Sequence, residues 1–394
     1  PELAAFEGKL GESADQLAAG LKLHDDLGVT LGKLYSYAHM KRDEDSTQAY
    51  AQALHDRVVG LYSRFSAAAA FFTPEIVALD PATVESWLEA QPELATYRFL
   101  LESTLRQKPH VRSAEVEGLR AQRMEIGHGA STYFDMLQDA DVKFPLIRDE
   151  DGTEIELTHG RYNPFQQSAD RRVRKDSFEA LYATYAAYRN TVAASYATSV
   201  KGDVFYARAH NYDSAQQAAM DGENIPLDVY ATLVSTVKTR LDLMQRYLHI
   251  RKRVLGLDEL HMYDVYAHLV PSAKQVIPYE LARDHVLAAV GALGSDYREA
   301  VHTGLASRWV DVYETPGKAS GAYSSGSYGT QPFILMNYQD NLDGVYTLAH
   351  ELGHSMHSYY TRATQPPAYA DYSLFVAEVA SITNEALLTQ HLLR

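Results

Sequence analysis

The sequence predicts a mainly α-helical, multi-helix chain of two lobes, with a small β-hairpin and a short β-sheet. Apolar residues recur at three- and four-residue steps through most of the chain, as they do along one face of a helix. Runs of β-branched residues are few, so few strands are expected. The 394 residues exceed what one hydrophobic core usually supports, so we place an N-terminal helical lobe at residues 1–140 and a second lobe at 141–394.

The N-terminal lobe is predicted to consist of successive helices. Helical apolar spacing runs through Leu10–Leu23, Val29–His39, Thr47–Phe72 and Pro81–Ala90. Thr73 and Asp80 each stand directly before a proline, and a capping residue followed by proline is typical of the first turn of a helix.

The second lobe is predicted to open with a β-hairpin. Two short apolar runs, residues 144–147 and 155–157, flank a turn that contains Asp151 and Gly152. An Asp-Gly pair between two such runs favours a tight turn between antiparallel strands. Helical spacing then returns over Ser168–Ala209 and Leu227–Leu255.

The pattern His350-Glu351-Leu352-Gly353-His354 predicts a metal site. On a helix, positions i and i+4 lie one turn apart on the same face, so His350 and His354 can bind one metal ion. Glu351 then lies beside that ion, where it can take a proton from a water that the metal activates. A hydrolytic zinc site usually has three protein ligands, so a third ligand is required.

Glu378 is the candidate for this third ligand. The helix that carries the histidines is expected to end at Gln365-Pro366-Pro367, because the residue before a proline avoids the α conformation. A new helical pattern starts near Tyr372, and the break allows it to fold back against the first helix. Glu378 lies among apolar residues there, where a carboxylate is costly unless a cation meets it. The alternative is a glutamate on the solvent side of an amphipathic helix.

Two further residues border the predicted metal face. Glu385 lies two turns after Glu378 and can accept a hydrogen bond from the outward ring nitrogen of a histidine ligand. His357 follows His354 by three residues and can contact substrate or support the ligands. The alternatives are an exposed surface glutamate and a partly exposed helix histidine.

A glycine- and serine-rich stretch, residues 320–329, precedes a predicted strand at Phe333–Tyr338. A phosphate-binding loop is excluded, because the stretch lacks a Gly-Lys-Ser/Thr ending and a following helix start. One interpretation is an edge strand and loop that pair with an extended peptide; the alternative is a connecting turn. The candidate peptide-binding residues are Tyr323, Gly326, Tyr328 and Asn337.

Several motifs near the predicted metal site occur together in one known family. They are Gly-Ala-Tyr-Ser-Ser-Gly at 321–326, Pro-Phe-Ile-Leu-Met-Asn-Tyr at 332–338, Thr-Leu-Ala-His-Glu-Leu-Gly-His-Ser-Met-His-Ser at 347–358 and Phe-Val-Ala-Glu-Val-Ala-Ser at 375–381. With the upstream residues 141–145, 157–162, 224–226 and 257–264, they resemble the oligoendopeptidase F branch of the thimet oligopeptidase family of zinc metallopeptidases. The resemblance covers most of the chain.

This resemblance implies a zinc-dependent endopeptidase with a zincin-type active-site helix, and it makes 141–394 the catalytic lobe. His350, His354 and Glu378 would bind one Zn²⁺ per chain, and Glu351 would be the general base. The implied substrates are internal bonds of short unfolded oligopeptides, because the helical shell of family members excludes folded proteins.

The two ends of the chain predict a longer enzyme. Family members carry a later segment, rich in tyrosine and including a histidine, that contacts the scissile carbonyl. This chain stops at Arg394 within an apolar helical pattern, and it opens at Pro1 without an initiator methionine. We therefore expect an internal portion of a longer protein, with an incomplete catalytic lobe that is weakly active alone.

Composition limits the other functional classes. A hydrophobic content of 46% with 22% charged residues argues against disorder. The absence of cysteine excludes thiolate ligands, so a metal must be held by histidine and carboxylate. The net charge of −15 argues against nucleic acid as a partner. No apolar run approaches membrane-spanning length, so a membrane partner is not expected. We expect a cytoplasmic location.

Two alternative functions remain open. A zinc carboxypeptidase or dipeptidase would need a cationic residue for the terminal carboxylate of its substrate, and the sequence does not locate one. A non-catalytic peptide-binding protein would not need a general base, so Glu351 argues against it. The sequence does not indicate the oligomeric state.

Overall fold

The computed structural model describes residues 1–112, 129–270 and 276–394. Its contacts divide the chain into two compact units. The first unit comprises Pro1–Lys108 and Lys274–Arg394, and the second comprises Pro109–Ala273. The predicted lobe boundary at residue 140 stays a prediction, and residues 113–128 of the predicted N-terminal lobe lie outside the described residues.

Helices dominate the described residues, which confirms the predicted mainly α fold class. In chain order they are α1 (Ala14–Glu44), α2 (Ala49–Ala69), α3 (Phe72–Ala78), α4 (Pro81–Ala90), α5 (Pro92–Ala95), α6 (Arg98–Arg106), α7 (Gly129–Asp135), α8 (His159–Gln166), α9 (Arg171–Ala187), α10 (Arg189–Ala209), α11 (Ala215–Asp221), α12 (Leu227–Lys238), α13 (Leu241–Val254), α14 (Tyr279–Ala289), α15 (Ser295–Ala306), α16 (Leu342–Thr364) and α17 (Leu374–Leu392).

The helix boundaries differ from the predicted ones in two ways. Two predicted segments form one helix where a glycine interrupts the apolar pattern, and two other segments each divide where that pattern continues through a turn. The segments predicted on either side of Gly28 form one helix, α1, because a glycine inside a helix costs only about 1 kcal/mol and does not end it. The hydroxyl of Ser13 accepts a 3.2 Å hydrogen bond from the Gln16 N–H and caps the start of α1. Conversely, the segments 168–209 and 227–255 each form two helices, because the backbone turns at Tyr188 and Arg240 without changing the apolar spacing.

The predicted β-hairpin is present in the second unit. Strands β1 (Leu146–Arg148) and β2 (Glu154–Glu156) are antiparallel, and Ile147 pairs with Ile155. The Asp149 carboxylate accepts hydrogen bonds from the N–H groups of Asp151 and Thr153, at 2.9 and 2.8 Å, which closes the turn. Gly152 has a φ of +83°, a conformation that favours glycine.

A three-stranded sheet lies in the first unit. Its strands are β3 (Val310–Asp311), β4 (Tyr323–Ser325) and β5 (Phe333–Leu335), in the order β3-β5-β4. Strand β3 is parallel to β5, and β4 is antiparallel to β5, with Ser324 opposite Ile334. Strand β4 is therefore an edge strand. The two residues of β3 are too few to give a recognisable sequence pattern.

Helix α16 runs through the main hydrophobic core of the first unit. Leu348, Leu352 and Met356 lie one turn apart on its buried face. They pack in one cluster with Ile334 and Met336, from β5 and the residue after it. This packing fixes the rotation of α16 and leaves the opposite face, which carries the two histidines, turned away from the apolar core.

Among the described residues, the helices are each too short or too polar to span a membrane.

Candidate metal centre

The two helices of the candidate centre begin and end where local sequence dictates. The side chain of Asn341 accepts a 2.9 Å hydrogen bond from the Gly344 N–H and caps the start of α16. The helix ends at Thr364, and Gln365, which precedes a proline, is extended with φ −107° and ψ 152°. As predicted, the chain then reverses and forms α17.

Gly353 allows α17 to approach α16 closely. A Cβ atom at this position would lie 2.5 Å from the Ser381 Cα and 2.7 Å from the Ala380 carbonyl oxygen. No side chain fits in that space, so only glycine permits this contact between the two backbones. Because Gly353 directly precedes His354 and Ser381 lies one turn after Glu378, the contact brings the carboxylate to the histidines.

His350, His354 and Glu378 offer three ligand atoms that face one another. The two histidine Nε2 atoms are 3.1 Å apart. The Glu378 Oε2 atom lies 3.5 Å from the His350 Nε2 and 3.7 Å from the His354 Nε2. Ligand atoms at 2.0–2.2 Å from a tetrahedral zinc ion are about 3.3–3.6 Å apart. The three spacings lie within about 0.2 Å of this range, and the two-nitrogen, one-oxygen donor set is typical of hydrolytic zinc sites, so the group fits one Zn²⁺.

Each histidine has a partner for its other ring nitrogen. The His350 Nδ1 atom lies 2.6 Å from the Glu385 Oε1 atom, and the Ala377 carbonyl accepts a hydrogen bond from the ring of His354. Such contacts orient a ligating imidazole and make it more basic. Burial, followed by the charge of His350, lowers the pKa of His354, which favours the neutral imidazole that binds metal.

Glu351 points into the same region from a buried position. Its residue is 7% exposed, and its Oε2 atom has no hydrogen-bond partner among the described residues. The backbone N–H of Ser324, in β4, donates to its carboxylate. Burial is the main cause that raises the pKa of Glu351, and His350 and the Ser324 hydrogen bond oppose it. A buried carboxylate with one free oxygen and a raised pKa is suited to accept a proton.

The Glu378 side chain is more exposed than its sequence neighbours suggest. It is 47% exposed, and its Oε2 atom accepts a 2.8 Å hydrogen bond from the Ser381 hydroxyl. The apolar residues around it in α17 are also exposed: Leu374, Phe375, Val376, Val379 and Ile382. The apolar burial assumed for Glu378 is therefore not found in the described residues, and its position depends on its contacts with the histidines and Ser381.

His357 lies one turn beyond His354 and faces Tyr372. The two rings stack with their centroids 3.6 Å apart. In the part of the chain that the structure describes, the buried His357 Nδ1 atom has no hydrogen-bond partner. Burial lowers the pKa of this histidine. Its predicted role toward substrate or ligands stays a prediction.

The four candidate peptide-binding residues lie in and after β4 and β5, and three of their side chains have partners within the first unit. Tyr323 donates to the Asp43 carboxylate at 3.0 Å, and Tyr328 donates to the Gln365 carbonyl at 3.2 Å. The Asn337 amide donates to the Ala319 and Gly321 carbonyls, at 2.9 Å each. Gly326 directly follows β4 and has a φ of +133°. Their contacts with a peptide stay predictions.

Two residues that contact the candidate site or its strand β4 were not found from the sequence. Ser324 donates its N–H to Glu351, and its hydroxyl lies 2.8 Å from the hydroxyl of Ser355. The alternation of side chains along a strand could have indicated that Ser324 faces away from Tyr323. Asp43 lies 280 residues before Tyr323, and no local pattern links the two.

Comparison with known proteins assigns the chain to a protein family. The sequence profile of peptidase family M3 matches residues 165–394, and the oligopeptidase F profile matches residues 75–144. The chain belongs to peptidase family M3. This confirms the family that the metal-site motifs resemble.

Relatives of this M3 chain are similar along its whole length. Oligopeptidase PepF of Bacillus subtilis is 45% identical over 100% of this chain and 59% of its own length. Group B oligopeptidase PepB of Streptococcus agalactiae is 42% identical over 99% of this chain and 65% of its own length. The chain thus spans about three-fifths of the length of these relatives.

Solved structures support the same fold. A putative peptidase from Chlamydophila abortus is 36% identical with a TM-score of 0.86, over 97% of this chain and 64% of that one. Oligoendopeptidase-F from Enterococcus faecium is 33% identical with a TM-score of 0.69, over 100% of this chain and 64% of that one.

Proposed function

We propose that this protein is a zinc-dependent endopeptidase that hydrolyses internal bonds of short, unfolded oligopeptides. The observation that carries the proposal is the triangle of ligand atoms from His350, His354 and Glu378, with the free carboxylate oxygen of Glu351 beside it. Membership of peptidase family M3 and relatives named oligopeptidase and oligoendopeptidase support peptide substrates.

The metal would be held by His350, His354 and Glu378. A zinc ion bound there supplies Lewis acidity toward the scissile carbonyl and toward a water molecule. Glu385 and the Ala377 carbonyl keep the two imidazoles oriented with Nε2 toward the metal. The Ser381 hydroxyl restrains the Glu378 carboxylate.

Glu351 would transfer the proton. As the water oxygen attacks the carbonyl carbon, the Oε2 atom of Glu351 takes a proton from that water. The same carboxyl group then gives the proton to the amide nitrogen as the carbon–nitrogen bond breaks, so that a carboxylate and an amine leave. The Ser324 N–H holds the carboxylate during both transfers, and its burial keeps bulk water from competing for the proton.

The substrate would bind as an added strand. One side of β4 pairs with β5, and an extended peptide can pair with the other edge through its backbone. Backbone pairing is tolerant of side-chain sequence, which suits a peptidase of varied short peptides. A cytoplasmic location stays a prediction.

The decisive test uses the purified full-length protein and a fluorogenic peptide blocked at both ends. We expect one zinc per chain, cleavage at an internal bond, loss of turnover with a chelator and recovery with zinc. An endopeptidase cleaves blocked and free peptides alike, whereas a carboxypeptidase or dipeptidase cleaves only free ends. Binding of the peptide without turnover at any zinc concentration would support a non-catalytic binding protein instead.

A further inference from the structure

A buried carboxylate outside the metal centre, Asp43, collects several donors at the end of α1. Its side chain is 8% exposed. The Arg42 guanidinium donates to Oδ1 through Nε and Nη2, at 2.8 and 2.6 Å. The His39 Nε2 atom lies 3.2 Å from Oδ2, and the Tyr323 hydroxyl donates to the same oxygen at 3.0 Å. Tyr323 is therefore bonded to an anchored charge, which makes the contact strong and directional.

The backbone repeats this attachment. The Ala319 N–H donates to the Asp43 carbonyl at 2.8 Å, and the Ser46 N–H donates to the Gly317 carbonyl at 2.7 Å. Both bonds join the end of α1 to the segment that leads into β4. Burial and then the charge of Asp43 raise the pKa of Tyr323, so its hydroxyl remains a donor. The start of β4 is thus fixed to α1.

The other face of β4 is fixed to α16. Successive residues of a strand point to opposite faces, so Ser324 faces away from Tyr323. Its hydroxyl lies 2.8 Å from that of Ser355, one turn after Glu351 on α16. Its backbone N–H is close enough to the Glu351 carboxylate to oppose the rise in the pKa of that group. Ser355 is fully buried, so the strand is bonded to a buried position of α16. Strand β4 therefore links Asp43 on one side to Glu351 on the other.

We propose that Asp43 and Tyr323 are positioning residues for Glu351: they hold β4 against α16 at Ser355, one turn after Glu351, and so fix the backbone of Ser324 beside the catalytic carboxylate. The inference rests on the proposed peptidase function. In this proposal the Tyr323 hydroxyl bonds the Asp43 carboxylate and does not contact a bound peptide. A misplacement of about 1 Å at a reacting group costs up to about 100-fold in rate, so a loosened strand lowers turnover without contacting the substrate.

The test compares Tyr323→Phe, Asp43→Asn and the double variant in the full-length protein, with a blocked peptide as substrate. Each single variant is expected to lower kcat about 10- to 100-fold and to change KM by less than about two-fold. Zinc content stays at one per chain. Because the Tyr323–Asp43 contact is common to both variants, the double variant is expected to be no slower than the slower single variant.

Tyr212→Phe is the matched control. The Tyr212 hydroxyl donates to the Asp221 carboxylate at 2.8 Å in the second unit, so this variant also removes a tyrosine–aspartate hydrogen bond. Its kcat is expected to equal that of the wild type. A similar fall in kcat in this control would overturn the inference, because the loss would then not be specific to β4.

The other outcomes are equally distinct. A raised KM with normal kcat for Tyr323→Phe, and normal kinetics for Asp43→Asn, would mean that the hydroxyl contacts peptide and would overturn the proposal. So would fully additive losses in the double variant. If Asp43→Asn melts far below the wild type, Tyr323→Phe alone decides, since it removes only one oxygen. An active wild type with unaffected variants refutes only this inference, whereas an inactive zinc-loaded wild type refutes the peptidase function as well.

Discussion

Replacing Gly353 by alanine should separate the proposed third metal ligand, Glu378, from the two histidines. The added Cβ would lie 2.5 Å from the Ser381 Cα and 2.9 Å from the Ala380 carbonyl carbon. These atoms belong to the backbone of α17, so no side-chain rotation can relieve the contact. The helix itself must move away from α16.

The size of the movement follows from these distances. An ordinary carbon–carbon contact is about 3.5 Å or more, so α17 must move by about 1 Å near Ser381. Glu378 lies one turn away on the same helix, and its Oε2 atom is already 3.5 and 3.7 Å from the two Nε2 atoms. A further increase takes the carboxylate beyond the reach of a tetrahedral ion, so we expect zinc affinity to fall about 10- to 100-fold or more. Overpacking should lower the free energy of unfolding by about 1–3 kcal/mol.

Zinc affinity can be measured by competition with a chromophoric chelator, and stability by denaturant unfolding of the metal-free protein. Gly28→Ala is the matched control, since Gly28 is also inside a helix but a Cβ there would meet nothing within 4 Å. That control should gain about 1 kcal/mol of stability with unchanged zinc affinity. A Gly353→Ala protein that binds zinc as tightly as the wild type would refute the reasoning.

Three further predictions concern single carboxylates. Glu351→Gln should retain zinc and peptide binding but lose about 100- to 10,000-fold in kcat, because the proton acceptor is gone; near-normal turnover by the zinc-loaded variant would contradict this. Glu378→Gln should weaken zinc binding by at least about 10-fold, measured by chelator competition, and undiminished affinity would exclude Glu378 as a ligand. Asp264→Asn should lower the free energy of unfolding by about 3–5 kcal/mol, because Asp264 is fully buried and pairs with buried Arg174 at 3.0 Å. Denaturant unfolding with a midpoint like that of the wild type would count against a structural role for this pair.

The sequence predicts the fold best where apolar spacing is long and uninterrupted. Helices α16 and α17, and the break between them at Gln365, follow from local pattern and from the proline rule. The two helices predicted on either side of Gly28 are one, because glycine alone does not end a helix whose neighbours are packed. Strand β3 is two residues long and exists only through its pairing with β5.

The residues of the candidate site that share a helix face could be predicted from the sequence. The residues that reach the site through long-range contacts could not. His350 and His354 are one turn apart, and Glu378 and Glu385 are two turns apart, so helical periodicity alone groups each pair on one face. Ser324 contacts Glu351 through a backbone N–H, which every residue type but proline offers. No pattern in the sequence around it can therefore signal that contact.

The close approach of α16 and α17 at Gly353 has a thermodynamic consequence. Two of the proposed ligands belong to one helix and the third to the other, so metal binding and helix docking form a single coupled equilibrium. With free zinc at 100 times its dissociation constant, the folded state gains about 2.7 kcal/mol over the metal-free state. The melting temperature should therefore rise with the logarithm of free zinc, so that zinc limitation would lower the stability of this protein together with its proposed activity.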